Sequence, residues 1–249
     1  MDGPVFRDHF SRVAAEYATF RPGYPAALFD FVAGLAPARG RAWDCGTGSG
    51  QAAAGLAERF AEVVATDASP AQLRRATRHR RVLYVASAAE ACPLARRSID
   101  LVAAAQALHW FDRRAFFAEA RRVLVEPGAI AVWCYGLAQI APAIDGPVRR
   151  LYAETLGPYW PSERSLVENG YRDVEFPFDE VAAPDLAIER SMTLAAFAGY
   201  VGTWSATRRY RDATRVDPVP GLLREIEEAW GAPHALRLVR WPLAIRAGR

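Results

Sequence analysis

An α/β fold with a doubly wound, mostly parallel sheet of seven strands is the architecture this 249-residue chain predicts. Three observations carry it. Between residues 41 and 135, short apolar runs alternate with stretches of helical periodicity, the pattern of repeated βα units. The run at 99–105 reads as apolar, as expected of a parallel strand covered on both faces. A glycine ladder, Gly46-x-Gly48-x-Gly50, joins the first strand of the alternation to its first helix, the kind of turn where such sheets place ligands.

Helices are expected at 8–17 and 25–35, the second with Leu28, Phe31, Val32 and Leu35 on one stripe. The loop Arg21-Pro22-Gly23-Tyr24-Pro25 separates them. Strands are expected at 42–45, 62–66, 82–85, 99–105 and 129–134. A helix at 51–60 follows the glycine ladder. Ser69 caps the next, with Pro70 in its first turn and Gln72 completing a capping box; Asp112 caps a later one that Pro127-Gly128 stops. After Tyr135 the alternation fails. Residues 136–178 read as an inserted helical or irregular cap, 178–192 as a strand region, 193–210 and 221–230 as helical, and 236–245 as a last strand closing the sheet antiparallel. The expected divisions are an N-terminal helical lid segment (1–40), a ligand-binding core (41–135), the cap (136–178) and the rest of the core (179–249).

The chemistry of the glycine loop is set by an acid. Asp44 stands two residues before Gly46, where a carboxylate would crowd a pyrophosphate but suits a cation. A P-loop needs a lysine to reach the terminal phosphates, and this chain has none: all 31 basic residues are arginine. The dinucleotide fingerprint wants a small residue where Gln51 stands. Asp67 follows Gly46 by about 20 residues, at the end of the next apolar run, where an acid can accept bonds from ribose hydroxyls. A cation and a ribose together describe S-adenosylmethionine. The competing readings are a strand-end cap for Asp44 and an N-terminal charge on the following helix for Asp67.

Composition bounds the rest. At 51% hydrophobic and 24% charged the chain reads as soluble and globular. Its apolar runs fall well short of the ~20 residues of a membrane span, so none is expected. Cys45, Cys92 and Cys134 are odd in number and far apart. With no export-signal pattern at the N-terminus, they predict reduced core thiols in a cytoplasmic setting and no metal site. A net charge of +3 suits an anionic substrate. The run Arg74, Arg75, Arg78, Arg80, Arg81 reads as a solvated face rather than a nucleic-acid patch.

With these motifs placed, the chain resembles the class I S-adenosylmethionine-dependent methyltransferases, a Rossmann-like family. More narrowly it resembles the small-molecule branch that includes the trans-aconitate methyltransferases. The resemblance rests on Phe10, Tyr17-Ala18, the 21–25 loop, Asp44 through Ala52, Ala65-Thr66-Asp67, and Ala105-Gln106-Ala107-Leu108-His109-Trp110-Phe111. Thr203-Trp204-Ser205 and Trp241-Pro242-Leu243 add weaker agreement.

What the resemblance implies is a cofactor site. Asp44 would hold the ammonium, while Cys45, Gly46, Thr47, Gly48 and Gly50 approach the methionine part. Asp67 and Ala68 would meet the ribose, and Ala88, Ala89 and Glu90 the adenine. Ala88 replaces the family's usual aspartate there. Gln106 would face the cofactor, and Tyr17, Arg21 and Tyr24 lie on a segment that folds over it in related enzymes. His109 is read as a general base, a ligand contact or a packed histidine beside Trp110. The expected function is methyl transfer to a small-molecule acceptor, an organic acid carboxylate or other metabolite, with neither nucleic acid nor membrane as partner. Alternatives are a C- or O-methyltransferase of a quinone or secondary metabolite, a non-catalytic S-adenosylmethionine-binding protein, and a nicotinamide oxidoreductase.

Overall fold

The computed structural model describes residues 23–249; the helix expected at 8–17, with Tyr17 and Arg21, lies outside the described residues. Five parallel strands form one half of the sheet: β1 (Arg41–Cys45), β2 (Glu62–Asp67), β3 (Val82–Ala86), β4 (Ile99–Ala105) and β5 (Leu124–Tyr135), in the spatial order β3-β2-β1-β4-β5. The order reverses between β1 and β4, so the C-terminal ends of those two strands open a crevice. Asp44 lies beside Ala65 of β2 and Ala103 of β4, at the inner edge of that crevice.

The other half differs from the seven-strand expectation. Residues 178–192 form two strands, β6 (Glu180–Val181) and β7 (Ala187–Met192), which makes eight in all. Pro184, which has no N–H to give to a ladder, stands in the break. The last strand, β8 (Arg237–Gly248), pairs antiparallel with β5 from Ile130↔Gly248 to Tyr135↔Leu243. Its first half turns away to pair with β7, and β6 lies on its far edge.

The helices start where their caps are. Ser69 accepts from the Gln72 amide at 3.4 Å ahead of α3 (Pro70–Arg75), and Asp112 from the Ala115 amide at 3.1 Å ahead of α4 (Arg113–Val123). Helix α4 ends before Pro127-Gly128 rather than at it, because Leu124 already turns extended to pair with Ile99. The register then slips, so regular pairing resumes at Leu101↔Ala129. Helices α1 (Ala26–Leu35) and α2 (Gln51–Ala57) pack together over the sheet, α2 being shorter than the expected 51–60. Residues 136–178 hold α5 (Pro142–Arg150), which continues into a wide π turn at Leu151–Thr155, and then α6 (Arg164–Glu168). Helices α7 (Leu194–Gly202), α8 (Ser205–Thr214) and α9 (Val219–Trp230) follow.

Strand alternation sorts the core into two layers. Ala42, Ala103, Ala131 and Trp133 face α1, α2, α5, α7 and α9. Trp43, Cys45, Val102, Ala104 and Val132 face α4 and α6. The three cysteines are free and buried, and no helix among the described residues is long and apolar enough to cross a membrane.

Candidate cofactor and acceptor site

The turn after β1 is a left-handed staircase: Gly46, Gly48 and Gly50 have φ of 69°, 56° and 82°, values that cost an L side chain about 1–2 kcal/mol each. Their surroundings distinguish them. A Cβ on Gly46 would lie 2.6 Å from the Ala107 Cβ, and one on Gly50 2.3 Å from the Tyr84 Oη, so the protein itself closes those positions. Among the described residues Gly48 meets nothing within 4 Å. Of the three, its backbone is the one the described residues leave open to close approach.

Asp44 is fully buried on β1. Its Oδ2 accepts from the Thr47 hydroxyl at 2.5 Å, while Oδ1 has no hydrogen-bond partner among the described residues. Burial pushes its carboxyl up to about 7, with the Thr47 bond and then the nearby Ala53 amide pulling the other way and the Asp67 charge adding a smaller push. Thr47 thus orients Asp44, and its own amide donates to the Thr66 carbonyl at 2.9 Å. Asp67, at the end of β2, accepts from the Gly48 amide at 2.9 Å and the Ser69 amide at 2.8 Å. One carboxylate therefore pins the glycine turn and the start of α3 together.

Gln106 leaves β4 with φ at 53°, rare for a residue with a side chain. Its amide donates to the Trp133 carbonyl at 2.8 Å and its side-chain Nε2 to the Tyr135 carbonyl at 2.9 Å. That leaves Oε1 buried with no partner among the described residues. Backbone held in a sparse region together with an orphaned oxygen points to function. Trp133, on the same sheet face as Asp44, buries an indole N–H with no partner among the described residues either. Sequence reasoning missed it; its only signal was its parity with Ala129 and Ala131 along β5. Two orphaned acceptors and one orphaned donor complement a ligand that bears both an ammonium and a carboxylate. Tyr24 lies edge-on to Trp133 at 5.7 Å and to Tyr135 at 6.4 Å, flanking the same ground.

The remaining candidates divide. Cys45 turns its thiol to the opposite face of the sheet, so only its backbone borders the turn. Ala68 and Ala88 are exposed, Ala89 is buried and Glu90 half-buried. Ser87 donates to the Ala88 and Ala91 carbonyls at 3.1 and 2.9 Å, and Ala88 pairs with Ala91 in an isolated bridge. Glu90 Oε1 accepts from the Asp112 amide at 2.9 Å, so it holds the start of α4.

His109 sits in a single 3-10 turn (Leu108–Trp110) and is buried. Its Nδ1 lies 2.9 Å from the hydroxyl of Tyr171, a wholly buried residue whose role gave no sequence signal. Burial, and then the charge of Arg164, push the imidazole down to about 3, so His109 is neutral throughout the physiological range. Trp110, beside it at 4.8 Å, is 37% exposed, so it lies at the surface rather than in the core.

A family profile described as a methyltransferase domain matches residues 43–132. A provisionally named methyltransferase of Dictyostelium discoideum is 33% identical over 229 residues, covering 90% of this chain and 87% of that protein. The solved structure of a provisionally named type II methyltransferase from Anaeromyxobacter dehalogenans is 49% identical, with a TM-score of 0.88 over 92% of this chain and 98% of that one. The malonyl-[acyl-carrier protein] O-methyltransferase of Dechloromonas aromatica is 36% identical over 113 residues, 45% of this chain and 40% of that protein.

Proposed function

We propose that this chain, which belongs to the S-adenosylmethionine-dependent methyltransferases, methylates a small organic acid at a carboxylate oxygen. The observation that carries the reading is the pair of buried acceptors, Asp44 Oδ1 on β1 and Gln106 Oε1 at the end of the neighbouring β4, that have no donor among the described residues. Asp44 and Gln106 would hold the cofactor's ammonium, and the Gly48 backbone would leave room for its methionine part. Asp67, at the end of β2, would accept from the ribose. When bound, S-adenosylmethionine supplies a methyl group already activated by its sulfonium. The protein's task is then alignment and exclusion of water rather than activation.

The state of His109 favours the carboxylate. A general base works best with a pKa near the operating pH, and an imidazole pushed down to about 3 is a weak one. A carboxylate acceptor is already anionic and needs no base, so we assign His109 to hydrogen bonding and shape at the acceptor. The relative named as an O-methyltransferase supports oxygen as the accepting atom. The finer likeness to the trans-aconitate branch rests on the 105–111 run alone.

Isothermal titration with S-adenosylmethionine, followed by an S-adenosylhomocysteine assay across a panel of organic acids, tests the reading. No binding would end it; binding with turnover only on phenols or amines would end the carboxylate part. His109→Gln is expected to lose less than about tenfold in kcat, because a true general base contributes roughly 10²–10⁴-fold. A larger loss would restore it as the base.

A further inference from the structure

The first residue of α6, Arg164, carries a guanidinium that is fixed on one edge and left open on the other. Its Nε donates to the Tyr152 hydroxyl at 2.7 Å, and that hydroxyl donates to Glu168 Oε1 at 2.6 Å. The guanidinium carbon lies 5.0 Å from the centre of the Trp160 ring and 5.6 Å from that of Tyr152. Trp160 is itself held, its indole donating to the Tyr152 carbonyl at 3.0 Å. Both rings pack on Trp204, at 5.9 and 5.8 Å. An arginine on the surface costs rotamer entropy when it binds; this one has been ordered in advance.

The open edge is the informative part. Among the described residues the two terminal nitrogens of Arg164 make no hydrogen bond, and no carboxylate oxygen lies within 4.0 Å of the guanidinium. A guanidinium presents five donors in a flat fork that matches a carboxylate with two parallel bonds. Its charge reaches the candidate site: helix α6 packs on the 3-10 turn that bears His109, and the Arg164 charge helps hold His109 neutral.

We propose that the terminal nitrogens of Arg164 receive a carboxylate of the methyl acceptor, whose body lies against the Trp160–Tyr152 aromatic wall. Arg164 is then the residue that selects an anion, and Tyr152 the positioning residue that aims its fork. This rests on the methyl-transfer reading above and names the group that would enforce its substrate class.

The experiment uses the full chain saturated with S-adenosylhomocysteine. Benzoate, phenylacetate, succinate and citrate are titrated, each against its amide, with calorimetry and ligand-observed NMR as readouts. The wild type is expected to bind at least one carboxylate about tenfold or more tightly than the matching amide, the scale of a charge-assisted hydrogen bond. Arg164→Gln removes that preference, Arg164→Lys keeps part of it, and both melt as cooperatively as the wild type and bind S-adenosylhomocysteine with unchanged affinity. A wild type without preference for the carboxylates, or an Arg164→Gln protein that keeps one, overturns the assignment. A wild type that does not bind S-adenosylhomocysteine overturns the transferase reading instead, and the acceptor site with it.

Discussion

A carboxylate buried with little more than one hydroxyl and a nearby amide to answer it is held at a cost, and Asp44, facing Thr47 and Ala53, is held that way. Its folded pKa of about 7 stands above the ordinary 3.8. The stability this group contributes is therefore fully present below about pH 4 and lost as pH rises towards 7. Asp44→Asn keeps the Thr47 hydrogen bond and removes the charge. It is expected to stabilise the free protein at pH 8, by up to the order of 4 kcal/mol for a shift of about three units, with the gain fading towards pH 4. The same variant should bind S-adenosylmethionine more weakly, and wild-type affinity should rise from pH 6 to pH 8 as the carboxylate ionises. Urea melts and calorimetry across that range check both; an Asn variant no more stable at pH 8 would contradict the burial cost. The glycines separate in the same way. Gly46→Ala should unfold more readily than Gly48→Ala, because its new methyl meets Ala107 and Phe111. Gly48→Ala should lose cofactor affinity with little change in melting beyond the cost of its φ. Both residue types were legible in the sequence as a motif. Which glycine the packing leaves open was not, since that depends on side chains more than 30 positions away.

At the level of elements, capping and alternation explain most of the agreement between expectation and structure. Parallel strands buried on both faces are mostly apolar, so β1, β2, β4 and the regular part of β5 stood out, although Asp100 near the start of β4 turns to the amides of Gly40 and Arg41. Ser69 and Asp112 mark helix starts because their side chains can satisfy amides that the helix leaves unpaired. Asp112→Ala is expected to cost about 1 kcal/mol in chemical denaturation. The Ala115 amide loses its acceptor and should exchange faster, while the backbone amide of residue 112 keeps its bond to Glu90. A variant as stable as the wild type would mean the cap is replaced by water. The split of 178–192 into β6 and β7 was not legible. Two strands lie on different parts of β8, and local propensity carries no information about which partner a residue will find.

Across the whole molecule, β8 ties distant parts together. Arg246, near the C-terminus, donates to the carbonyls of Tyr171 and Val174 and pairs with Glu180. It thereby fixes the segment whose Tyr171 meets His109. Arg246→Ala strands those carbonyls and is expected to destabilise by roughly 2–3 kcal/mol, with the fluorescence of the His109 neighbour Trp110 altered as well. Unchanged urea midpoint and emission would show that the tie is dispensable. His109 and Tyr171 are 62 residues apart, and no spacing rule connects them.

The amino-acid sequence alone determined the βα order, the glycine turn and its flanking acids, because each follows from contacts within a few residues or from uniform burial of a strand. Tertiary structure decided the rest: Asp44 Oδ1, Gln106 Oε1 and the terminal nitrogens of Arg164, which find no hydrogen-bond partner among the described residues, and the neutral His109. Hydrogen-bond satisfaction and desolvation are properties of a complete surrounding, and that surrounding exists only once chain segments far apart in sequence have packed together.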